Sequence, residues 1–177
     1  HMGGNVTRRD LIDEETAPLV EEAIVDLTKD ENFYQFYLPD GQGADELIEQ
    51  IRFFREACGC KYIFFEPIQD VVAGLTEDGK EQILADLSVR LSKLAAELNV
   101  GIVTIAHTND NGDPKYCKMI AQRASVIINL HRDKEAENED DRNTTYLSVE
   151  KNRPCAEVGP SGRLRFNAKT FILKELA

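Results

Sequence analysis

The sequence lacks long apolar runs and signal peptides, and it is short of basic residues. No apolar run approaches the ~18 residues that a membrane-spanning helix needs, and no secretory signal is visible. The net charge is −11 at pH 7. An isolated domain of this charge is not expected to bind nucleic acid non-specifically, since phosphate contacts need Lys and Arg. The negative net charge does not exclude local basic loops that bind nucleic acid within an assembly. These deficits favour a cytoplasmic protein without a membrane partner.

The four cysteines are scattered along the chain. Cys58 and Cys60 are one residue apart, which is tighter than the C-x₂₋₄-C spacing of a zinc site. Cys117 and Cys155 each stand alone. We therefore expect reduced thiols and no zinc site.

The length of 177 residues is enough for one domain with a real core. His1 and Met2 have the character of a cloning remnant, so we expect residues 1–4 to be a scar or linker. The predicted domain then covers residues 5–177, and we expect the natural protein to begin further upstream.

Apolar periodicity predicts helices and strands that alternate over the first two-thirds of the chain. Helices are predicted over residues 13–27, 44–57, 78–98 and 116–123. Strands are predicted over residues 32–38, 61–66, 100–109, 125–130 and 144–150, with a terminal hairpin over 163–166 and 170–173. The alternation favours an α/β fold with a mainly parallel sheet and right-handed crossovers. Residues 133–143 are predicted to form an exposed, mobile loop.

Three positions are predicted to mark helix ends. Gly59 and Asn99 would end the second and third helices. Asp78, with Glu81 three residues later, has the spacing of a capping box at the start of the third helix.

The strand over residues 100–109 reads as buried on both faces and ends on His107 and Asn109. In open α/β sheets, ligands bind just beyond the carboxyl ends of the strands. A neutral histidine there can hydrogen-bond a phosphate or a water. The alternative is that His107 only caps the strand end.

Glu66 ends another apolar strand, where a carboxylate can hold a magnesium-bound water. The alternative is an exposed acid at a strand end. Lys151 and Arg153 lie two residues apart near a later strand end and are predicted to point the same way. Two such cations suit a polyphosphate, and the alternative is a solvated basic pair on an edge strand.

Two further features concern phosphate. Lys115 and Lys118 flank the loop after His107 and could touch a nucleic-acid backbone, although ordinary surface lysines would look the same. The stretch from Gly74 to Glu81 has nearly the spacing of a phosphate-binding loop. Glu81 replaces its Ser or Thr, so we expect no phosphate loop there.

Four stretches, residues 32–69, 95–109, 123–133 and 149–166, resemble in order the motor domain of replicative hexameric DNA helicases. These are the DnaB-like, RecA-fold ATPases. The segments 56–60, Glu-Ala-Cys-Gly-Cys, and 105–107, Ile-Ala-His, are most similar to the phage primase–helicase branch. The resemblance implies a three-layer RecA-like fold, truncated at the amino end and finished by a carboxyl-terminal β-hairpin.

The resemblance also implies roles in the nucleotide site. Glu66 falls where the family's Walker B aspartate coordinates the magnesium shell. His107 falls where a Gln or His senses the terminal phosphate and couples it to DNA. Lys151 and Arg153 match a Lys-x-Arg pair that reaches the neighbouring subunit's ATP. Glu66, His107 and Arg153, the arginine finger, would thus be catalytic.

The loop over residues 108–118 falls where the family binds single-stranded DNA in the ring channel. The resemblance therefore implies that Asn109, Lys115 and Lys118 bind DNA. The resemblance implies a phage-encoded parent protein that uses ATP and Mg²⁺, forms a hexamer and partners with a primase domain or protein.

The sequence departs from the family in three ways. Glu66 replaces an aspartate, no Arg-Gly-Ser-Gly-like stretch precedes residue 125, and neither a Walker A loop nor the catalytic glutamate is present. We therefore expect these residues alone to lack ATPase activity. A recombinase-type RecA-fold ATPase and a non-catalytic binding or assembly module are the alternatives.

Overall fold

The chain has an α/β fold, seen here in a computed structural model that describes residues 17–29, 33–36, 43–73, 75–109, 112, 114–168, 170 and 172–176. Residues 34–124 form one compact unit, and the remaining residues form a second. The helices are α1 (Ala17–Thr28), α2 (Ala44–Glu56), α3 (Glu77–Leu98), α4 (Met119–Arg123) and α5 (Glu139–Arg142). The strands are β1 (Tyr62–Phe65), β2 (Gly101–Thr104), β3 (Val126–His131), β4 (Thr144–Asn152), β5 (Gly159–Asn167) and β6 (Ile172–Leu176).

The unit of residues 34–124 is built on a parallel strand pair. β1 and β2 run in register from Tyr62 opposite Gly101 to Phe65 opposite Thr104, with α3 as the crossover between them. This confirms the predicted parallel pairing for these two strands. A 3₁₀ helix, Ile68–Val72, follows β1 directly.

Leucines at helical spacing bury one face of α3 in this unit. Leu84 and Leu87 are fully buried, and Ile51 of α2 is 1% exposed. The 3₁₀ helix adds Ile68 and Val72 to the same cluster. Apolar burial is therefore concentrated between α2, α3 and the segment after β1, which holds that segment in place.

The strand pair is covered on one face only. Ile63, Phe65 and Ile102 pack against the core. Tyr62 and Phe64 are 69% and 73% exposed on the other face, and Val103 of β2 is 46% exposed. The prediction of a strand buried on both faces over residues 100–109 was therefore wrong.

The second unit contains a four-stranded antiparallel sheet in the order β3-β4-β5-β6. The expectation of a mainly parallel sheet was thus wrong. The connections from β4 to β5 and from β5 to β6 are too short for a parallel crossover, which takes about a dozen residues or more. The terminal hairpin of β5 and β6 is confirmed, although both strands are longer than predicted.

The charged connection between β3 and β4 contains a short helix. The Asn138 side chain accepts a hydrogen bond from the Asp140 backbone N–H and caps α5. Arg142 donates to the carbonyl oxygens of Ala136 and Glu137, at 2.7 and 2.6 Å. Arg132 donates to the Arg142 carbonyl oxygen. Residues 133–143 therefore carry local structure where an exposed loop was predicted.

Three smaller predictions concern the segment at 32–38, the start of α3 and the ends of α2 and α3. Residues 33–36 of the predicted strand 32–38 are not in a strand, and residues 32, 37 and 38 lie outside the described residues. The N-cap of α3 is Thr76 instead of Asp78, with no side-chain capping bond. The predicted ends hold: Asn99 is left-handed with φ 48° at the end of α3, and Gly59 follows α2 with φ 74°.

Residues 13–16 of the first predicted helix, and the proposed scar at 1–4, lie outside the described residues. No helix in the described part of the chain is both long and apolar enough to span a membrane.

Candidate functional site

Glu66 lies exposed immediately after β1. The apolar run Tyr62–Phe65 forms a strand because its alternate side chains pack on the core of the unit. Glu66 then leaves the strand where the chain turns into the 3₁₀ helix. A carboxylate at this point faces solvent and is a suitable oxygen donor for a hard cation.

His107 follows β2 at the same edge of the strand pair, because β1 and β2 are parallel neighbours. Its side chain is exposed. Beyond the last strand pairing, the Ile68 N–H donates to the Ile105 carbonyl oxygen at 2.9 Å. This hydrogen bond ties the segment after β1 to the segment after β2. Glu66 and His107 therefore sit on two backbone segments that are bonded to each other.

Gln69 is a residue that the sequence did not single out. It is 8% exposed in the 3₁₀ helix. Its Nε2 donates to the His107 carbonyl oxygen at 3.1 Å, and the His107 N–H donates to its Oε1 at 3.2 Å. The signal available in the sequence was one amide in the segment Ile68–Val72, Ile-Gln-Asp-Val-Val, which alone does not tell a buried glutamine from an exposed one.

The loop after His107 is closed at its base by backbone bonds. The Lys115 N–H donates to the His107 carbonyl oxygen at 2.7 Å, and Thr108 and Pro114 form an antiparallel bridge. Asn109 is exposed and its carbonyl accepts from Gly112 N–H at 2.9 Å. The base of the predicted DNA loop is thus attached to the backbone of His107.

The two predicted DNA-binding lysines flank an aromatic ring. Lys115 and Lys118 are exposed, and Lys115 Nζ lies 4.9 Å from the centre of the Tyr116 ring. Lys80 Nζ of α3 lies 4.7 Å from the same ring. Tyr116 has φ 71°, a region that non-glycine residues rarely adopt. The loop therefore presents a cation-rich surface around one tyrosine.

Lys151 and Arg153 lie at the end of β4, in the second unit. Lys151 is a half-buried strand residue opposite Ile127. Arg153 is exposed in the turn that follows, and its N–H donates to the Ser125 carbonyl oxygen at 2.9 Å. Burial lowers the pKa of Lys151, and the positive charge of Arg153 lowers it further. The positive charge of Arg153 therefore acts on Lys151, although burial is the larger cause of the lowered pKa.

The turn after β4 is held by Asn152. Its Oδ1 accepts from the Cys155 N–H at 3.4 Å, and its Nδ2 donates to the Glu157 carbonyl oxygen at 3.2 Å. Ala156 takes a left-handed conformation with φ 61°. Arg153 is thus carried on a turn that its neighbour organises.

The predicted site residues fall into two groups. Glu66, His107, Asn109, Lys115 and Lys118 belong to the unit of residues 34–124, and Lys151 and Arg153 belong to the other. Their roles remain predictions. Among the described residues, no cluster of three or more His, Cys, Asp or Glu could hold a metal by itself. The single carboxylate of Glu66 is enough for a magnesium site, because Mg²⁺ usually takes one or two carboxylates together with waters and phosphate oxygens.

Comparison with known proteins supports the resemblance drawn from the sequence. No protein-family profile matches the chain. A curated protein of Chlamydia psittaci, described as "Probable plasmid replicative DNA helicase", is 29% identical over 148 residues. The match covers 76% of this chain and 32% of that protein, so the chain spans about a third of the length of this relative.

Two solved structures share the fold. A structure of a DnaB-like replicative helicase, described with its interactions with primase, matches 97% of this chain and 43% of its own, with TM-score 0.69 and 20% identity. The KaiC-like protein PH0186 of Pyrococcus horikoshii matches 96% of this chain and 71% of its own, with TM-score 0.64 and 14% identity. The resemblance to DnaB-like replicative helicases is confirmed, and the fold is RecA-like.

Proposed function

We propose that this chain is the carboxyl-terminal portion of the motor domain of an ATP-dependent replicative DNA helicase. The parent protein hydrolyses ATP between the subunits of a hexameric ring, translocates on single-stranded DNA and unwinds duplex. One observation carries the proposal. Glu66 and His107 follow the carboxyl ends of two neighbouring parallel strands, directly after β1 and three residues after β2, in a fold that matches a DnaB-like helicase with TM-score 0.69.

Glu66 holds a water of the magnesium shell, and His107 contacts the terminal phosphate of ATP. A magnesium ion held there would supply charge stabilisation to the phosphates of ATP. Two features support these roles: both side chains are exposed, and both follow the carboxyl ends of strands, where α/β sheets bind ligands. The imidazole nitrogens of His107 hydrogen-bond the phosphate there.

Lys151 and Arg153 bind the ATP of a neighbouring subunit, and Arg153 is the arginine finger. Support comes from their places in the chain, Lys151 near the end of β4 and Arg153 in the turn that follows it; burial, and then the positive charge of Arg153, lowers the pKa of Lys151. An anionic polyphosphate relieves the repulsion between two such cations. Arg153 also offers a planar fork that matches phosphate oxygens.

Asn109, Lys115 and Lys118 contact the backbone of single-stranded DNA within the ring. Their support is exposure on a loop whose base is bonded to His107. The other partners are further copies of the parent and a primase domain or protein. The parent works in the cytoplasm, that of the host if it is phage-encoded.

We further propose that residues 5–177 form one partial motor domain within the parent. Glu66 stands where the family has an aspartate, and its extra methylene moves the carboxylate by about one bond length. Since this displacement can impair magnesium binding, a non-catalytic assembly module is the second candidate.

The experiment is an ATPase and unwinding assay of the full-length parent with Glu66→Gln. The wild-type protein is expected to hydrolyse ATP faster with single-stranded DNA and to unwind a forked duplex. Loss of the carboxylate should lower turnover on the order of 10²-fold, because metal-ion stabilisation is worth several kcal/mol.

Glu81→Gln is the matched control, since Glu81 is an exposed carboxylate of α3 and should leave turnover unchanged. A wild-type parent that binds DNA without hydrolysing ATP would support the non-catalytic module. Filament formation with strand exchange would instead support a recombinase.

A further inference from the structure

The side chain of Gln69 binds both backbone polar groups of a single residue. Its Nε2 donates to the His107 carbonyl oxygen at 3.1 Å, while its Oε1 accepts from the His107 N–H at 3.2 Å. An amide side chain offers one acceptor and two donors, so it satisfies His107 as a paired strand residue would. Gln69 is 8% exposed, so water has little access to these two hydrogen bonds and does not readily replace them.

This contact extends the strand pair past its last ladder position. Phe65 opposite Thr104 ends the register of β1 and β2. The Ile68 N–H then bonds the Ile105 carbonyl at 2.9 Å, and Gln69 bonds His107 two residues later. One short segment therefore carries the Glu66 carboxylate and also fixes the backbone of His107.

The same carbonyl of His107 is the base of the loop. It accepts the Lys115 N–H at 2.7 Å in addition to Gln69 Nε2. A displacement of the loop base must therefore act on the oxygen that Gln69 holds. The His107 peptide is the point at which the loop and the segment after β1 meet.

We propose that Gln69 is a positioning residue, which fixes the His107 backbone and transmits movement of the loop at 108–118 to the segment that carries Glu66. This inference rests on the proposed function for the roles of Glu66, His107 and the loop. The hydrogen-bonded clamp itself does not, so the two parts are tested separately.

The clamp is tested by amide hydrogen exchange in the 177-residue chain. Gln69→Met keeps a similar volume and removes both hydrogen bonds. The His107 amide should exchange roughly five- to tenfold faster, as expected for the loss of one net hydrogen bond. The Gly101 amide, which donates to the Lys61 carbonyl at 2.9 Å, reports on the strand pair and should not change. Unchanged exchange at His107 would overturn the clamp.

A second variant covers the case in which Gln69→Met unfolds the unit. Gln69→Glu keeps the shape and the acceptor for the His107 N–H, but its carboxylate oxygen faces the His107 carbonyl oxygen. Faster exchange at His107 is expected for it too. Gln82→Met is the control, since Gln82 is an exposed amide on α3.

The positioning role is tested in the full-length parent. Gln69→Met should leave the KM for ATP unchanged and lower the stimulation of kcat by single-stranded DNA about tenfold, because the interaction it removes links loop to site. Stimulation equal to wild type would overturn the role. A wild-type parent without ATPase activity would refute the proposed function and leave the clamp standing on the exchange result.

Discussion

Arg153 is placed one residue after β4, on a turn organised by Asn152. In the full-length parent, we expect Arg153→Ala to abolish ATP hydrolysis while ATP binding stays nearly intact. A guanidinium meets charge that develops on the transferring phosphoryl group, so its effect is greatest in the transition state. Such residues are worth on the order of 10³-fold in turnover. Steady-state kinetics and equilibrium nucleotide binding measure the two effects.

The control is Arg163→Ala, which removes an exposed arginine from β5. Because the finger would act on a neighbour's ATP, doping mutant subunits into wild-type rings should lower activity faster than in proportion to their fraction. A linear decline, or normal turnover, would show that Arg153 is only a surface cation.

Lys151 has a pKa below the ordinary 10.5, first because of burial and second because of Arg153. A larger neutral fraction at a given pH makes its amine acylate faster. We expect the midpoint of its labelling profile to lie below the ordinary lysine value of 10.5. Quantitative mass spectrometry over about pH 8 to pH 11 brackets the ordinary value. Arg153→Gln should move the midpoint upward, and coincident midpoints in both proteins would contradict the charge coupling.

The lowered pKa of Lys151 also makes the free energy of unfolding depend on pH. Between the lowered pKa and 10.5, the unfolded chain holds a proton on Lys151 that the folded chain has released. The free energy of unfolding therefore gains from this residue as the pH rises through that interval.

At the scale of elements, α3 is the helix whose packing decides the stability of its unit. Leu87 is fully buried there. We expect Leu87→Ala to lower the free energy of unfolding by about 2–5 kcal/mol, through lost burial and a residual cavity. Urea unfolding followed by far-UV circular dichroism measures it, since the sequence has no tryptophan.

Leu75→Ala is the matched control, because Leu75 is 42% exposed. Its expected effect is within about 0.5 kcal/mol. Equal effects for the two substitutions would mean that α3 does not anchor the core.

The helices and strands also show how much of the secondary structure could be predicted from the sequence. The leucine spacing of α3 predicted its extent nearly to the residue, because burial of one stripe dominates a long helix. The aromatic run at 32–38 was mistaken for a strand. Tyr34 packs at a tilt and Phe36 edge-on near Phe54, each at a ring centroid distance of 6.4 Å. Local propensity does not distinguish this packing from a pleated strand.

The antiparallel second sheet was missed for a different reason. The parallel pairing expected from the alternation in the first two-thirds was carried into a region where β4, β5 and β6 follow one another with no helix between them. At the candidate site, Glu66 and His107 were found because apolar runs end on them. Gln69 was not, because its contact with His107 joins positions far apart in sequence.

For the molecule as a whole, the missing phosphate loop is decisive. We expect the 177-residue chain alone to show no ATPase activity above background, since phosphate binding in this fold relies on backbone N–H groups of a loop that its sequence does not contain. A coupled phosphate-release assay at saturating ATP and Mg²⁺ measures it. Turnover that disappears with Glu66→Ala would contradict this expectation, and would draw attention back to residues 74–81.

The face of β3 has a consequence for handling the isolated chain. Val126, Ile128 and Leu130 are 46%, 49% and 67% exposed along this strand. A segment of β-branched and aliphatic side chains without Pro, Asp, Glu, Lys or Arg has the character of a cross-β nucleus. Concentrated samples should therefore form thioflavin-positive fibrils after a lag. Ile128→Lys, which places a charge in that stretch, should lengthen the lag, whereas an unchanged lag would locate the nucleus elsewhere in the chain.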